Sequence, residues 1–252
     1  LAKRRGGSAE FQDHRPYAPG DDLRRIDWAA YARTGEPVLK LFRMEEDVML
    51  RLLVDSSASL DYGVPSKFDI ARRVGAAIGY MVMASSQRAQ VFSVGEGIKS
   101  MSRSARGRGG VASFLKSLEA LQPGGATHLS KAIDAVVQRS HRPGMLVVIS
   151  DFLDGGLVTA SLSRAKSAGH DLALVHVVTP EEVEPPWEGD WTLEDGETGA
   201  TVDVTMDPAA LEAYMLRFTG LCEELRAVAR KLGAGYVRMR TDEPLEPVVR
   251  RF

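Results

Sequence analysis

Five oxygen-bearing side chains stand where chain segments change character. Asp55, Ser57 and Ser59 alternate along Asp55-Ser56-Ser57-Ala58-Ser59, Thr127 closes Gly124-Gly125-Ala126-Thr127, and Asp151 follows Ser150. Carboxylates and hydroxyls are hard ligands that suit Mg2+ or Mn2+ and serve soft metals poorly. Alternate positions on a tight loop can turn three side chains inward, with Thr127 adding a fourth oxygen and Asp151 a fifth group. Asp-x-Ser-x-Ser by itself is a common strand-to-helix turn in which Asp and Ser cap the next helix. Thr127 after a double glycine, and Asp151 at the end of a second apolar run, move the reading from a cap to a metal site. Asp154 is the second choice for the Asp151 position because it lies further beyond its strand. His128, beside Thr127, reads as a surface or supporting residue rather than a ligand.

The elements around these residues alternate in type. Val48 to Val54, Met145 to Ser150 and Leu172 to Val178 are nearly continuous apolar runs, the pattern of strands covered on both faces of a parallel sheet. Ala89 to Val94 and Tyr236 to Met239 read as shorter strands. Ser66 caps a helix with Ile70, Val74, Ala77, Ile78 and Met81 on one face. Further helices are expected over Val111 to Leu121, Leu129 to Ser140 and Gly155 to Ala168, the last closed by Gly169. The final helix has Asp207 as N-cap, Pro208 in its first turn and Gly233 after its end. This alternation predicts an α/β fold with a doubly wound, mostly parallel central sheet and helices on both faces. Ligands in such sheets bind beyond the carboxyl ends of the strands, where strand order reverses. Asp55, Thr127 and Asp151 all belong there.

Two segments depart from the rhythm. Residues 1–47, rich in Arg, Asp, Gly and Pro, form an N-terminal extension with a half-buried edge strand over Val38 to Met44; residues 48–252 form the main domain. A stretch at about 180–205, with Pro185-Pro186 and two tryptophans, reads as an insertion carrying a hairpin around Asp195-Gly196. Arg103, Arg106 and Arg108 among glycines form a solvated loop, since the Lys-Ser/Thr of a phosphate-binding loop is missing.

Composition bounds the partners. A formal net charge of −2 over 252 residues gives no general attraction to nucleic acid or anionic membrane. The single Cys222 excludes an internal disulfide and fits a reducing, cytoplasmic setting. No run approaches the roughly 20 apolar residues that span a bilayer. Residue 1 is Leu, which leaves room for upstream segments.

Asp55, Ser57, Ser59, Thr127 and Asp151 match in order the metal-ion-dependent adhesion site of von Willebrand factor A domains. In that family the hydroxyls bind the ion directly, the aspartates often act through water, and a partner carboxylate takes the open position. A narrower resemblance rests on Glu10-Phe11, Arg15-Pro16-Tyr17, Pro19-Gly20-Asp21, Arg24, Ile26-Asp27-Trp28, Lys40, Phe42, Glu45-Glu46 and, in the insertion, Glu197-Thr198-Gly199. These residues resemble the bacterial family called domain of unknown function 58, and the likeness covers nearly the whole chain. Ala58, Leu60 and Ser85-Ser86-Gln87-Arg88 depart from the family pattern without removing a ligand. The resemblance implies a von Willebrand A-like domain and a MoxR-type AAA+ ATPase as partner in adaptor or chaperone-like work. It also implies upstream transmembrane helices, hence membrane association, in many full-length members. The N-terminal motif reads either as a staple for its own strand or as a docking surface for the ATPase.

The leading functional expectation is therefore a metal-dependent protein-interaction module, not an enzyme, that takes a partner's Asp or Glu at the ion. The first alternative is a Mg2+-dependent phosphatase or phosphotransferase with Asp55 as nucleophile. Haloacid-dehalogenase-like enzymes carry a second Asp where this chain has Ser57. A serine hydrolase on Ser56 or Ser57 lacks a G-x-S-x-G elbow and a well-placed histidine base.

Overall fold

A computed structural model describes residues 9–44, 48–153, 158–246 and 250. The chain divides into two compact units between Asp47 and Val48.

In the first unit β1 (Ala9–Pro16) pairs antiparallel with β2 (Val38–Met44), and α1 (Trp28–Thr34) lies between them in sequence. Asp27 organises this unit. Its Oδ1 accepts the backbone N–H groups of Ala29 and Ala30, capping α1. Its Oδ2 stands 3.0 Å from His14 Nε2 on β1 and 3.4 Å from Lys40 Nζ on β2. A hydrogen bond from His14 first, then from the Ala30 amide and Lys40, holds the Asp27 carboxyl down at about 2. The motif around Asp27 thus ties β1, α1 and β2 together. Arg15 pairs with Asp21 at 2.5 Å, while Asp22 caps the short turn at Leu23–Arg25.

The second unit is built on β3 (Met49–Asp55), followed by α2 (Lys67–Ala84), β4 (Arg88–Val94) and two short strands, β5 (Ile98–Met101) and β6 (Ala105–Arg106). Next come α3 (Gly107–Glu119), α4 (Leu129–Arg139), β7 (Met145–Ser150), α5 (Val158–Ser167), β8 (Asp171–Val178) and the single-turn α6 (Pro180–Val183). A hairpin of β9 (Gly189–Glu194) and β10 (Thr201–Met206) precedes α7 (Pro208–Leu232) and β11 (Gly235–Arg240). The main sheet runs β11-β8-β7-β3-β4-β5, with β6 also on β4. β11, β8, β7, β3 and β4 are parallel; β5 and β6 are antiparallel additions.

Strand alternation sends neighbouring side chains to opposite faces. Leu50, Leu52 and Val54 of β3, with Val147 and Ile149 of β7, meet Phe68, Val74, Ile78, Phe114 and Leu118 of α2 and α3. Leu53, Leu146, Val148, Leu172 and Leu174 meet Leu129, Ile133, Val136, Leu162, Leu225 and Val228 of α4, α5 and α7. The doubly wound arrangement expected from the apolar runs is the one observed. Cys222 of α7 is buried, and its Sγ accepts from Arg238 of β11 at 3.8 Å.

Some boundaries differ. α3 begins at Gly107 rather than Val111, so Arg108 is helical and the basic loop is shorter than expected. β5 and β6 are too short and exposed to carry a periodic signal. The N-terminal part of the helix expected from Gly155, together with Asp154, lies outside the described residues.

Candidate functional site

The order of strands fixes the site. From β3 the chain steps to β4 on one side, and later returns to β7 on the other. Strand order reverses at β3, and the crevice beyond the ends of β3 and β7 is the place where doubly wound sheets bind ligands. Val54 pairs with Ile149, so Asp55 and Asp151 leave the sheet from adjacent strands at nearly the same level.

The Asp55 loop is held from three sides. The Ser56 side chain turns back to β4, its Oγ donating to the Val94 carbonyl at 2.7 Å and lying 2.8 Å from Ser93 Oγ. With Ser56 anchored there, Ser57 and Ser59 turn together, and their hydroxyl oxygens are 3.0 Å apart. The Gly-rich loop is laced to this turn: Ala58 N–H donates to Gly125 O at 2.9 Å and Gly124 N–H to Ser56 O at 3.0 Å. Gly124 and Gly125 have φ of 138° and 74°, a conformation that favours glycine. Lys99 of β5 clamps both loops, its Nζ donating to the carbonyls of Ser56 and Gly124.

All five predicted residues therefore come to one edge of the sheet. Asp55, Ser57, Thr127 and Asp151 are buried and Ser59 is half-buried. Asp55 Oδ1 accepts the Ser57 N–H at 3.0 Å and Oδ2 accepts the Ser150 hydroxyl at 2.6 Å. Burial first, and the neighbouring Asp151 charge second, push the Asp55 carboxyl up to about 6, against these hydrogen bonds. Asp151 sits before Phe152, whose φ of 55° places a non-glycine residue in the left-handed region. That turn is held by the Phe152 N–H on Ser150 Oγ at 2.9 Å and by edge-on packing of its ring against His176. Burial lowers His176 to about 4, so it is neutral there. His128 is half-buried at the start of α4, with its backbone N–H on Gly95 O at 2.7 Å.

Three further residues complete the site. Lys67, at the first position of α2, is 1% exposed, and its Nζ lies 2.8 Å from both Asp151 Oδ2 and Glu182 Oε1. Burial alone would lower the Lys67 pKa, but the two carboxylates outweigh it and raise the value. Glu182 uses its other oxygen in a capping box with Thr179, whose N–H donates to Oε2 at 2.8 Å. Glu197, at the tip of the β9–β10 hairpin, accepts the Thr127 N–H on Oε2 at 3.4 Å. Lysine at a helix N-terminus opposes the helix dipole, and Thr179-x-x-Glu182 is a legible capping pattern, so two of the three left a trace in the sequence.

The residues fit a divalent cation. Thr127 Oγ1 is buried with no hydrogen-bond partner, a costly state for a hydroxyl. Asp151 and Glu182 share the Lys67 ammonium, while Asp55, buried beside the Asp151 charge, is held by the Ser150 hydroxyl and the Ser57 amide. Lys67 occupies one oxygen of Asp151, which favours an indirect role for that aspartate over direct ligation. Among the described residues no three His, Cys, Asp or Glu form a metal cluster, so a cation here would rest on hydroxyls together with Asp55 and Asp151.

Residues 13–219 match the family model described as protein of unknown function DUF58. The chain belongs to that family. It is 32% identical to an uncharacterized protein of Mycobacterium tuberculosis, Rv1480, over 98% of this chain and 79% of that protein. Among solved structures it resembles the conserved hypothetical protein BatB from Bacteroides thetaiotaomicron, with a TM-score of 0.54 at 15% identity, covering 81% of this chain and 96% of that one. The SpRpn10 VWA domain is 14% identical over 82% of this chain and 96% of that one, with a TM-score of 0.49. The chain thus shares its α/β fold with BatB and belongs to the DUF58 family. Among the described residues no helix is long and apolar enough to cross a membrane.

Proposed function

We propose that this chain is a metal-dependent protein-interaction module, cytoplasmic and without catalytic activity of its own. The observation that carries the reading is the unpartnered hydroxyl of buried Thr127, on a Gly-rich loop whose backbone is hydrogen-bonded to the Ser56–Ala58 turn. Ser57, Ser59 and Thr127 would hold Mg2+ or Mn2+ directly, with Asp55 and Asp151 in support. The bound ion supplies an electrophilic centre for an Asp or Glu of a partner protein. The chain's own residues set the geometry: Ser150 and the Ser57 amide fix the Asp55 carboxylate, and Lys67 fixes Asp151. Exposed Tyr62, Val64 and Leu153, on the loops after Ser59 and Asp151, supply apolar contact beside the polar centre. The partner we propose is the MoxR-type AAA+ ATPase implied by the family resemblance.

The arrangement does not suit a nucleophile. Asp55 is fully buried with both oxygens engaged, and the Ser56 hydroxyl is committed to β4. Calorimetric titration of Mg2+ and Mn2+ tests the reading. Wild type is expected to bind Mn2+, and Thr127→Ala to lose at least tenfold in affinity. Equal affinity in the two proteins contradicts the site, and phosphate-ester turnover abolished by Asp55→Asn contradicts the non-catalytic reading.

A further inference from the structure

The β9–β10 hairpin is held at its tip by an acid rather than by apolar packing. From Glu188 to Asp203 every residue is exposed except Glu197, which is half-buried. Trp191, Leu193 and Val202, nearer the tip, remain exposed, while Val204 and Met206 at the base of β10 are half-buried. Hairpins are ordinarily fixed by burying one apolar face; at this tip the side chain turned inward is a carboxylate.

The turn presents that carboxylate. Asp195 Oδ1 accepts the Glu197 N–H at 2.9 Å, its Oδ2 accepts the Thr198 hydroxyl at 2.7 Å, and Asp195 N–H donates to Ala200 O at 2.8 Å. The tip rests on the site itself. A methyl group placed on Gly196 would lie 3.7 Å from the Ala58 carbonyl carbon and 3.9 Å from Ser59 N. Glu197 Oε2 meets the backbone N–H of Thr127, the residue whose buried hydroxyl is unpartnered.

The geometry points to Glu197 as an acidic ligand that the chain supplies to its own site, where a partner's carboxylate would otherwise stand. The hairpin is then an internal competitor: an external acid reaches the site only when the tip lifts off the Asp55–Ser59 loop. This inference rests on the metal-dependent reading above, but it concerns an acid and a hairpin that the reading does not require.

The test uses Mn2+ titrations of the full chain, with sodium acetate as a free carboxylate probe. Wild type, Glu197→Gln, Glu197→Ala and Thr127→Ala are compared, with circular dichroism confirming that each is folded. Glu197→Gln and Glu197→Ala are expected to weaken Mn2+ binding by about tenfold or more. Acetate is expected to restore affinity to Glu197→Ala while leaving wild type unchanged, because only the truncated side chain opens the position. If both Glu197 variants bind Mn2+ like wild type and acetate has no effect, while Thr127→Ala still loses the ion, the Glu197 assignment is wrong and the metal site stands. If wild type binds no Mn2+, the metal reading fails and Glu197 falls with it.

Discussion

A lysine in the first turn of a helix works against the helix dipole, and an ammonium that is 1% exposed works against hydration. Lys67 bears both costs because Asp151 and Glu182 each meet it at 2.8 Å. Asp27 shows the same logic with the sign reversed, since His14, the Ala30 amide and Lys40 all favour its ionised form. Its carboxyl falls from the ordinary 3.8 to about 2 in the folded chain, so the unfolded chain takes up a proton first as pH drops. The contribution of Asp27 to stability is therefore complete above about 4 and lost as pH falls through about 2. Denaturant midpoints of wild type and Asp27→Asn, compared across this range, should differ by a constant amount above pH 4 and converge below it. A gap that persists unchanged at the acid end contradicts this account. At this scale the convergence of Asp55, Ser57, Ser59, Thr127 and Asp151 at one edge of the sheet was legible, because each stands at a local break. Lys67, Glu182 and Glu197 were not assigned to the site, because only long-range folding brings them to Asp151 and Thr127.

Between elements, the closest fit lies where α2 crosses α3. A methyl group added at Gly79 would fall 2.1 Å from Cε1 and 2.2 Å from Cζ of Phe114, against the edge of the ring. Alanine outranks glycine in a helix interior by about 1 kcal/mol, so propensity alone favours Gly79→Ala. The displaced ring costs more, and the substitution should destabilise the chain by about 1–3 kcal/mol, read from the urea midpoint. A gain in stability would mean that α3 slides freely over α2. Elements with one deeply buried face were legible from periodicity: β3, β7, β8, α2 and α7 were placed within a few residues. β1, α1, β5, β6 and α6 were missed because they are short or bury little, leaving the local sequence polar and aperiodic. The hairpin of β9 and β10 was read from Asp195-Gly196 rather than from its strands, and the observed turn is longer, spanning residues 195–200 between Glu194 and Thr201.

In the second unit, two apolar cores pack against opposite faces of one sheet, and the strands contribute alternately to both. The fold class was legible because uninterrupted apolar strands have few alternatives to burial on two sides. The site followed from topology, since a sheet whose order reverses at β3 leaves a crevice beside Asp55. The hairpin's descent onto that crevice was not legible, because a half-buried glutamate in an exposed turn has no periodic signature. The layered core also bears on the lone thiol. Cys222 is the one cysteine in the sequence and is only 2% exposed between α7 and β11. Alkylating reagents in native buffer must therefore wait for α7 to detach or for the whole unit to open. The labelling rate should track the opening equilibrium, and under the proposed metal binding Mn2+ is expected to slow it by the factor by which the ion stabilises the chain. The molecule thus carries its own stopwatch for unfolding, and its surface offers a silent background for a maleimide dye attached anywhere else.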